Sequence, residues 1–395
     1  MRRVIIFGFG LMGFTVAREM SSVESIDEIL IVDTSDQNLK RVNKLKKEMK
    51  QRKINILTLK KDVIKDKEYL VQVTKNSILG IGSLPHSVAR DAMDICLEAG
   101  VNFVDLVYDA HLKNFREIDR KAKESGTVVI PSMGVAPGLS NAMVAHGVRM
   151  LDKTNSVKIY VGGVPEHRTP PLDYKIVFSA TSVVNEYIRD ATIRRGGKII
   201  KVPALSEVEE VNFLSYKEGN FEAVLTDGLS TLLNSFPKIN NMEEKTIRWK
   251  GHNEKVNFLR DMGILSNDKI NTQNGCVIRP SEILAIIMKK HLKMKRGDKD
   301  ITLMKVEVKG SLKGEKVAYV QELFDRYDDE QDETSMARTT GFTCAIVGKM
   351  VIEGLFKKPG FFPPEKAMSE INYRRLKNEL IKRGILINET LIKLP

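Results

Sequence analysis

The stretch MRRVIIFGFGLMG, residues 1–13, followed by ILIVD at residues 29–33, determines the fold of the amino-terminal region. An apolar run leads directly into a Gly-x-Gly-x-x-Gly turn made by Gly8, Gly10 and Gly13. A helical pattern comes next, and the second apolar run ends on an acid. A strand, a glycine turn, a helix and a second strand that ends on an acid form the dinucleotide-binding fingerprint. The stretch therefore predicts a bound dinucleotide.

Each glycine of this turn has a separate role. Gly8 allows the tight turn, Gly10 lets the backbone approach the pyrophosphate, and Gly13 lets the helix lie close to the sheet. The pyrophosphate then lies at the unpaired N–H groups of the first helical turn. Leu11 and Met12, which occupy that turn, are therefore predicted to contact the cofactor together with the three glycines.

The residues that end the second strand indicate which dinucleotide is bound. Asp33 accepts hydrogen bonds from the ribose hydroxyls and repels a 2′-phosphate. The next residues, Thr34 and Ser35, provide no arginine to bind such a phosphate. We therefore predict NAD as the cofactor, with Asp33 and Thr34 at the ribose, and NADP as the less favoured alternative. Lys40 and Arg41 lie about a helical turn further on and leave some tolerance for NADP.

Composition and charge exclude several classes of function. The chain has 395 residues, which is long enough for two or three domains, and a formal charge of +12. Many of its basic residues follow an amphipathic pattern in residues 40–61, which indicates a solvated helix face and predicts no nucleic-acid partner. No apolar run reaches membrane-spanning length, so no membrane association is expected. Three scattered cysteines give no zinc spacing, so we expect no metal site and a cytoplasmic location.

Strand and helix patterns alternate through the first third of the chain, as in a doubly wound parallel sheet of the Rossmann type. We assign this α/β domain to residues 1–131. In such sheets the carboxyl ends of the strands line the ligand crevice. Ser83, Leu84 and Pro85 follow the fourth predicted strand, and Asp105 ends the fifth. All four are predicted cofactor contacts. The predicted strands are 4–7, 29–32, 54–59, 78–82, 102–106 and 127–130, and the predicted helices are 11–20, 36–52, 87–99 and 112–125.

The pattern then changes to strands with polar alternation, among them residues 175–178, as in a sheet with one open face. Residues 132–330 are accordingly predicted to form a second, α+β domain with a mixed or antiparallel sheet. Residues 331–395 are predicted to be largely helical and to return to the first domain. An open sheet face must be covered, so we expect a homodimer or a dimer of dimers.

Several segments of the second domain are dense in unusual residues and occur in a characteristic order. Together with APGLSN at 136–141 and RTTGFT at 338–343, they resemble the saccharopine dehydrogenase-related family, and within it the lysine 6-dehydrogenases. One departure is MGVAPG at 133–138, where saccharopine reductases carry a Cys-Gly-Leu-Asp-Pro-Gly type of segment. The other segments of the resemblance are GGVP (162–165), PPLDYK (170–175), VNEY (184–187), PALSE (203–207), FEA (221–223), TDG (226–228) and KTIRWKGH (245–252).

The resemblance implies hydride transfer at the C–N bond of a basic amino acid. Its lysine 6-dehydrogenase branch implies NAD-dependent oxidation of the L-lysine ε-amine to 2-aminoadipate 6-semialdehyde, which cyclises to piperideine-6-carboxylate. The alternative enzyme is a dehydrogenase of the saccharopine or carboxynorspermidine type, which would need room for a larger adduct. The alternative outside enzymes is an NAD-binding regulatory protein, which would keep the first 33 residues and lose the polar groups of the second domain.

The chemistry implied by the resemblance requires a base. The ε-ammonium of lysine has a pKa of about 10.4, and its proton must leave before hydride can. A carboxylate or a histidine within hydrogen-bond reach removes it. Asp105, at the carboxyl end of the fifth strand, is the first candidate, and His252 is the second. Asp105 can instead be a loop carboxylate, and His252 can instead cap the turn after Gly251.

The substrate's polar ends require a fork-shaped donor and an acceptor. Arg248 is predicted to bind the α-carboxylate through its two parallel N–H groups, with the hydroxyl of Thr226 or Thr339 as a further donor. Glu186 or Asp227 is predicted to accept from the α-ammonium. The residues predicted to enclose the aliphatic part of the substrate or to relay a proton are Tyr174 and Tyr108.

Overall fold

The computed structural model describes residues 1–107, 115–229, 231–295 and 297–395. It divides the chain into two compact units. The first unit contains Met1–Ala145 and Ala337–Arg383, and the second contains His146–Met336 and Gly384–Pro395. Tyr108 and the start of the helix predicted at 112–125 lie outside the described residues.

The first unit is a parallel sheet with helices connecting its strands. Within the described residues its seven strands follow the order β17-β6-β5-β4-β1-β2-β3, and all of their pairings are parallel. The strands are β1 (Arg3–Phe7), β2 (Glu28–Asp33), β3 (Asn55–Lys60), β4 (Ser77–Gly82), β5 (Asn102–Asp105), β6 (Val128–Ile130) and β17 (Gly360–Phe361). The helices that lie wholly or mostly in this unit are α1 (Leu11–Ser21), α2 (Asp36–Lys40), α3 (Val42–Glu48), α4 (Lys67–Thr74), α5 (His86–Ala99), α6 (Phe115–Glu124), α7 (Leu139–Arg149), α12 (Ser335–Ile352), α13 (Pro364–Ala367) and α14 (Glu370–Lys382).

The order of the strands reverses next to β1, with β2 on one side and β4 on the other. Ile5 of β1 and Leu30 of β2 are buried in one apolar cluster with Phe103 of β5 and Ile95 of α5. The predicted doubly wound parallel sheet is therefore confirmed. At such a reversal the carboxyl ends of the strands leave a crevice that binds ligands, which places the turn after β1 in the expected position.

Two helical details of the first unit differ from the sequence prediction. The prediction of a single helix over residues 36–52 is wrong, because the chain forms two helices, α2 and α3, with a break at Arg41. There the N–H of Arg41 donates to the carbonyl of Asn38, three residues back, which tightens the turn between the two helices. Helix α4 was not predicted, since its eight residues carry a short apolar pattern around Leu70 and Val71.

The second unit is built around a larger, mixed sheet. Among the described residues the sheet has nine strands, seven of them in the order β10-β11-β12-β7-β15-β16-β18, with β8 paired to β12 and β9 paired to β8. The pairing of β12 with β7 is parallel, and the other pairings are antiparallel. The strands are β7 (Lys153–Pro165), β8 (Ala191–Arg195), β9 (Lys198–Val202), β10 (Glu209–Val211), β11 (Phe221–Leu225), β12 (Asn241–Trp249), β15 (Asp300–Leu312), β16 (Glu315–Arg326) and β18 (Leu386–Lys393).

Helices of this unit form an apolar layer with residues of β11. Val184 of α8, Val256 of α10 and Met288 of α11 are buried in one cluster with Val224 of β11 and Tyr174. The helices are α8 (Ala180–Ile188), α9 (Leu232–Ser235), α10 (His252–Asp261) and α11 (Pro280–His291), and a small hairpin is formed by β13 (Ile270–Asn271) and β14 (Val277–Ile278).

One strand predicted in the second unit does not form. Residues 175–178 are irregular apart from an isolated bridge between Ile176 and Lys293, so that prediction was wrong. The successive side chains of Ile176 and Val177 are both buried, whereas a strand with one open face buries every second residue. The chain then enters α8, whose first turn is capped by the hydroxyl of Ser179, which accepts from the N–H of Ser182.

The boundaries between the two units differ from the domain boundaries predicted at residues 131 and 330. Residues 132–145 belong to the first unit, where Asn141 donates from its side chain to a buried Glu365 oxygen at 3.0 Å. The carboxyl-terminal region is divided as well. Residues 337–383 belong to the first unit, whereas β18 pairs with β16 in the sheet of the second. Long-range pairing of this kind leaves no local signal in the sequence.

Candidate functional site

The turn after β1 has space for a ligand at one glycine and none at the other two. Gly8 has a φ of +93°, and an added Cβ would overlap the carbonyl oxygen of Ser83. A Cβ at Gly13 would overlap the carbonyl oxygen of Gly8. At Gly10, by contrast, no described atom lies within 4 Å of the added Cβ. Open space beside Gly10 fits the close backbone approach that a pyrophosphate needs.

Two helices begin at this edge of the sheet without a side-chain cap. The residue before α1 is Gly10, and the residue before α5 is Pro85; neither accepts a hydrogen bond with its side chain. The first N–H groups of a helix have no partner within it and bind anions readily. Leu11 is about half exposed, and Ser83 and Leu84 are half-buried. The residues present therefore fit a dinucleotide, and the contacts predicted for it, from Gly8 to Gly13 and from Ser83 to Pro85, stay predictions.

The carboxylate at the end of β2 is already partly engaged. Asp33 accepts from the N–H of Phe9 at 2.6 Å, the N–H of Ser35 at 2.7 Å and the side-chain amide of Asn38 at 3.1 Å. A carboxylate has about four acceptor positions, so capacity remains for a ribose hydroxyl. The guanidinium of Arg41 lies over the Phe14 ring, 4.8 Å from its centre. Thr34 is exposed next to Asp33.

Asp105 holds the loops that follow β5 and β6. Its Oδ1 accepts from the N–H of Ser132 at 2.6 Å and from the N–H of Val107 at 3.2 Å, and its side chain is buried. Burial and the neighbouring Asp105 together raise the pKa of the Cys344 thiol. These bonds give Asp105 the loop-carboxylate role that the sequence also allowed. Its catalytic role and its cofactor contact stay predictions.

Thr339 belongs to the first unit, whereas the other predicted substrate contacts belong to the second. It is buried in α12, and its carbonyl accepts from the hydroxyl of Thr343 at 2.7 Å.

Four of the predicted residues of the second unit meet in one cluster. Arg248 donates to Glu186 at 3.0 Å, and its guanidinium lies 4.7 Å from the centre of the Tyr174 ring. His252 packs against the edge of the same ring, with 5.6 Å between the ring centres. Tyr174, Arg248 and His252 are buried, and the side chain of Glu186 is 27% exposed. A charged pair set against two aromatic rings indicates a polar site within an apolar layer.

Strand geometry explains why this cluster forms. Successive side chains of a strand point to opposite faces, so Glu244, Thr246 and Arg248 of β12 share one face. Ile247 lies on the other face, in an apolar cluster with Tyr160 and Trp249. Helix α8 contributes Glu186 and Tyr187 to the polar face.

His252 is committed to structural hydrogen bonds. It begins α10, after Gly251 with a φ of +92°. Its Nδ1 lies 2.7 Å from the carbonyl oxygen of Leu172, and its Nε2 lies 2.9 Å from the hydroxyl of Tyr187. Burial, helped by Arg248, lowers the pKa of His252 to about 3. The imidazole is therefore neutral, donates from Nδ1 and accepts at Nε2, which makes it a weak candidate for the base.

Thr226 and Asp227 lie just after β11 and are also paired. The hydroxyls of Thr226 and Thr246 are 2.8 Å apart. Asp227 accepts from the N–H of Thr192 at 3.1 Å and forms an ion pair of 3.2 Å with Arg189. These contacts place both residues beside the cluster and engage Asp227 as a local anchor.

Sequence reasoning missed one carboxyl group in this cluster. Glu244 is buried, and its Oε2 has no hydrogen-bond partner among the described residues. Burial, with the nearby charges of Glu186 and Asp227, raises the pKa of Glu244 to about 8. The sequence signal that could have found it is the two-residue period of a strand, which places Glu244 on the same face as Arg248. Glu244 follows another glutamate in the sequence, and such a pair is typical of a solvated surface.

Family models match both parts of the chain. Residues 4–130 match the saccharopine dehydrogenase NADP binding domain, and residues 134–385 match the saccharopine dehydrogenase C-terminal domain. The chain belongs to the saccharopine dehydrogenase family. The family resemblance predicted from the sequence is confirmed, and the matched amino-terminal domain is one that binds a nicotinamide dinucleotide.

Relatives within the saccharopine dehydrogenase family are distant. The mitochondrial alpha-aminoadipic semialdehyde synthase of Rattus norvegicus is 23% identical over 68% of the chain, and the chain spans 29% of that relative's length. Carboxynorspermidine synthase of Vibrio cholerae is 22% identical, with 92% of each chain covered. The solved structure of apo saccharopine dehydrogenase (L-Glu forming) from Saccharomyces cerevisiae superposes with a TM-score of 0.82 at 19% identity, over 99% of this chain and 100% of that one. That likeness confirms the predicted two-part fold.

None of the helices in the described parts of the chain has the length and apolar character needed to cross a membrane.

Proposed function

We propose that this protein is a nicotinamide-dinucleotide-dependent oxidoreductase that acts on the C–N bond of a basic amino acid, with the ε-amine of L-lysine as the substrate group. The observation that carries the proposal is the buried cluster of Arg248, Glu186 and Glu244 beside Tyr174. Ionisable groups in an apolar layer are unfavourable for folding, so their presence in a dinucleotide-binding protein favours recognition of a zwitterion. Membership of the saccharopine dehydrogenase family supports the reaction class.

The proposed reaction requires that the amine be neutral and its neighbouring carbon oriented. A nicotinamide dinucleotide held by the turn from Gly8 to Gly13 would supply the acceptor for the hydride of that carbon. Arg248 supplies the cation for the substrate's α-carboxylate. Its Nε has no partner among the described residues and can donate to that carboxylate, and so can an N–H group that it shares with Glu186. Tyr174 supplies a ring wall and a hydroxyl that likewise lacks a described partner. The cluster thus binds and orients the substrate.

The experiment that tests the proposal is NAD⁺ reduction by the purified chain with L-lysine, saccharopine and carboxynorspermidine. We expect turnover of L-lysine and none of L-norleucine, which keeps the α-groups and lacks the ε-amine. Absorbance of the reduced cofactor is the measurement. Turnover of saccharopine or carboxynorspermidine without turnover of lysine would favour the alternative enzymes. The similarity to carboxynorspermidine synthase supports that class, because it covers 92% of each chain. Binding of NAD with no turnover of any amine would favour the regulatory protein.

For the cofactor we predict NAD over NADP. The support is Asp33 at the end of β2, with the guanidinium of Arg41 held over Phe14. The matched family model is nevertheless described as an NADP binding domain, so the choice needs a direct test. Fluorescence titration should show tighter binding of NAD than of NADP, and Asp33→Ser combined with Thr34→Arg should reverse that order. Tighter binding of NADP by the parent chain contradicts the prediction.

For the base we propose Asp105, with His252 as the weaker candidate. Removal of a general base typically lowers turnover by about 10²–10⁴-fold. Asp105→Asn keeps the size of the side chain and one acceptor for the N–H of Ser132, so NAD affinity should stay near that of the parent. Stopped-flow measurement of hydride transfer with L-lysine distinguishes the candidates. Near-normal turnover in Asp105→Asn, with loss in His252→Gln, would transfer the role to His252.

For the assembly we propose a homodimer or a dimer of dimers. Ile283, Ile286 and Ile287 of α11 are 40%, 64% and 50% exposed, and exposed apolar groups of this kind favour association. Light scattering at micromolar concentration should report more than one chain per particle; a monomer would contradict this proposal.

A further inference from the structure

Among the described residues, seven buried side-chain atoms of the second unit have no hydrogen-bond partner, and three of these lie around Glu186. They are Oε2 of Glu244, the hydroxyl oxygen of Tyr174 and Nε of Arg248. A buried polar atom without a partner typically destabilises a fold by about 1–3 kcal/mol, and such atoms are rare. Because Glu186 pairs with Arg248 and also lies near Tyr174 and Glu244, one ligand in this cluster can provide the missing bonds.

Glu244 differs from the other carboxyl groups of this cluster. Glu186, on α8, is paired with Arg248, and Asp227, after β11, is paired with Arg189. Glu186 and Asp227 are the charged groups that act on Glu244, from α8 and from the turn after β11. Of these three carboxyl groups, only that of Glu244 forms no ion pair with a described cation.

The backbone around Glu244 is shaped to its carboxyl group. The N–H of Thr226 donates to the carbonyl of Glu244 at 3.2 Å, which brings the turn after β11 against β12. Gly228 then lies so close to Glu244 that an added Cβ would overlap the carboxyl oxygens. A glycine at this position therefore makes room for the carboxyl group.

We propose that Glu244 accepts a primary ammonium group of the amino-acid substrate and that it gives up its own proton to solvent when the substrate binds. The proposal deepens the proposed function and rests on it. The neutral carboxyl group and the ammonium become a carboxylate paired with the ammonium, plus one released proton. No covalent bond to carbon changes.

The charges of the cluster favour a cation as the group that Glu244 binds. Three carboxyl groups lie near one another, and the two cations beside them, Arg248 and Arg189, are paired. An anion at Glu244 would be repelled by Glu186 and Asp227. The unpartnered donors, Nε of Arg248 and the hydroxyl of Tyr174, instead suit the α-carboxylate of the same ligand.

The expected pH dependence follows from the state of the free protein. With its pKa raised to about 8, Glu244 is protonated at pH 7 in the absence of ligand. An ammonium group lowers that pKa, because it favours the charged form of the carboxyl group. Binding therefore releases protons below about pH 8. The affinity should rise by up to about tenfold per pH unit until pH 8, and then level off.

The test measures proton release by calorimetry of L-lysine binding to the full chain loaded with NADH, in two buffers of different ionisation enthalpy. The parent should release close to one proton at pH 7. Glu244→Gln should release none, and its affinity should be nearly independent of pH and at least about tenfold weaker at pH 8. Glu243→Gln is the matched control. It alters the neighbouring glutamate, which pairs with Lys158 at 2.8 Å, and should behave like the parent.

Two analogues identify which ammonium Glu244 binds. 6-Aminohexanoate lacks the α-ammonium and L-norleucine lacks the ε-ammonium, so proton release persists only with the analogue that keeps the bound group. Glu244→Asp keeps a titrating carboxyl group and should retain proton release with weaker affinity, which serves as the test if Glu244→Gln fails to fold. Equal proton release by the parent and by Glu244→Gln would overturn the proposed role of Glu244 and leave the proposed function standing. Failure of the parent to bind any amino acid in the panel would overturn the proposed function as well.

Discussion

Gly13→Ala should destabilise the protein by about 3 kcal/mol and abolish dinucleotide binding. The added methyl group would overlap the carbonyl oxygen of Gly8 and would also approach the Ser83 hydroxyl at 3.2 Å. Because those atoms belong to the turn after β1 and the end of β4, relief of the overlap must push α1 away from the sheet. The first N–H groups of α1 would then no longer be positioned for an anion.

Gly10→Ala is the matched control, because the same methyl group meets no described atom within 4 Å. Its unfolding free energy should stay within about 0.5 kcal/mol of the parent value, as for substitutions away from packed sites. The methyl group nevertheless occupies the space predicted for the pyrophosphate, so the NAD dissociation constant should rise at least about tenfold. Urea unfolding and fluorescence titration measure the two effects separately. Normal NAD binding by Gly10→Ala would contradict the assignment of the cofactor site.

Arg248→Met should destabilise the protein by about 3 kcal/mol, the lower end of the range for a broken buried ion pair. The substitution leaves Glu186 in the cluster without its partner, and one quarter of that side chain still reaches solvent, which limits the effect. Loss of the contact between the Arg248 guanidinium and the Tyr174 ring adds to the destabilisation. The same variant should lose measurable binding of the amino-acid substrate.

The double variant Arg248→Met, Glu186→Gln separates these contributions. With the carboxylate neutralised, most of the lost stability should return, because no unpaired charge remains in the cluster. Thermal unfolding of the four proteins in the cycle gives the coupling energy, which we expect to exceed about 1 kcal/mol for residues in contact. Strictly additive effects would show that the pair contributes little. Glu243→Gln, at another glutamate of β12, should leave the coupling energy unchanged when it is added to all four proteins.

The first unit could be predicted from the sequence because its signals are local. The glycine turn and Asp33 lie within 33 residues, and β1 to β6 are apolar runs separated by helices. Each strand of a parallel sheet is buried on both faces, so it is visible as an apolar run without knowledge of its neighbours. Where the local signal was weak, as in the short α4, the prediction failed.

In the second unit the sequence indicated a mixed or antiparallel sheet and most polar residues of the cluster, but not their pairing. Arg248, Glu186, Tyr174 and His252 were predicted as contacts of the substrate, and the structure places them beside one another. The hydrogen bonds of His252 to Leu172 and Tyr187 join residues 80 and 65 positions apart in the chain. Such contacts are made by folding and have no local pattern.

The sequence by itself determined the doubly wound sheet, the glycine turn and its acid, and the family to which the chain belongs, because each depends on residue types at short, regular spacings. Only the tertiary structure decided which charges are paired. It engaged Asp105, Asp227 and His252 in structural bonds, and it left the oxygen of Glu244 without a partner among the described residues. Whether a buried group is paired depends on neighbours brought from other elements, and its burial and pairing together set its pKa.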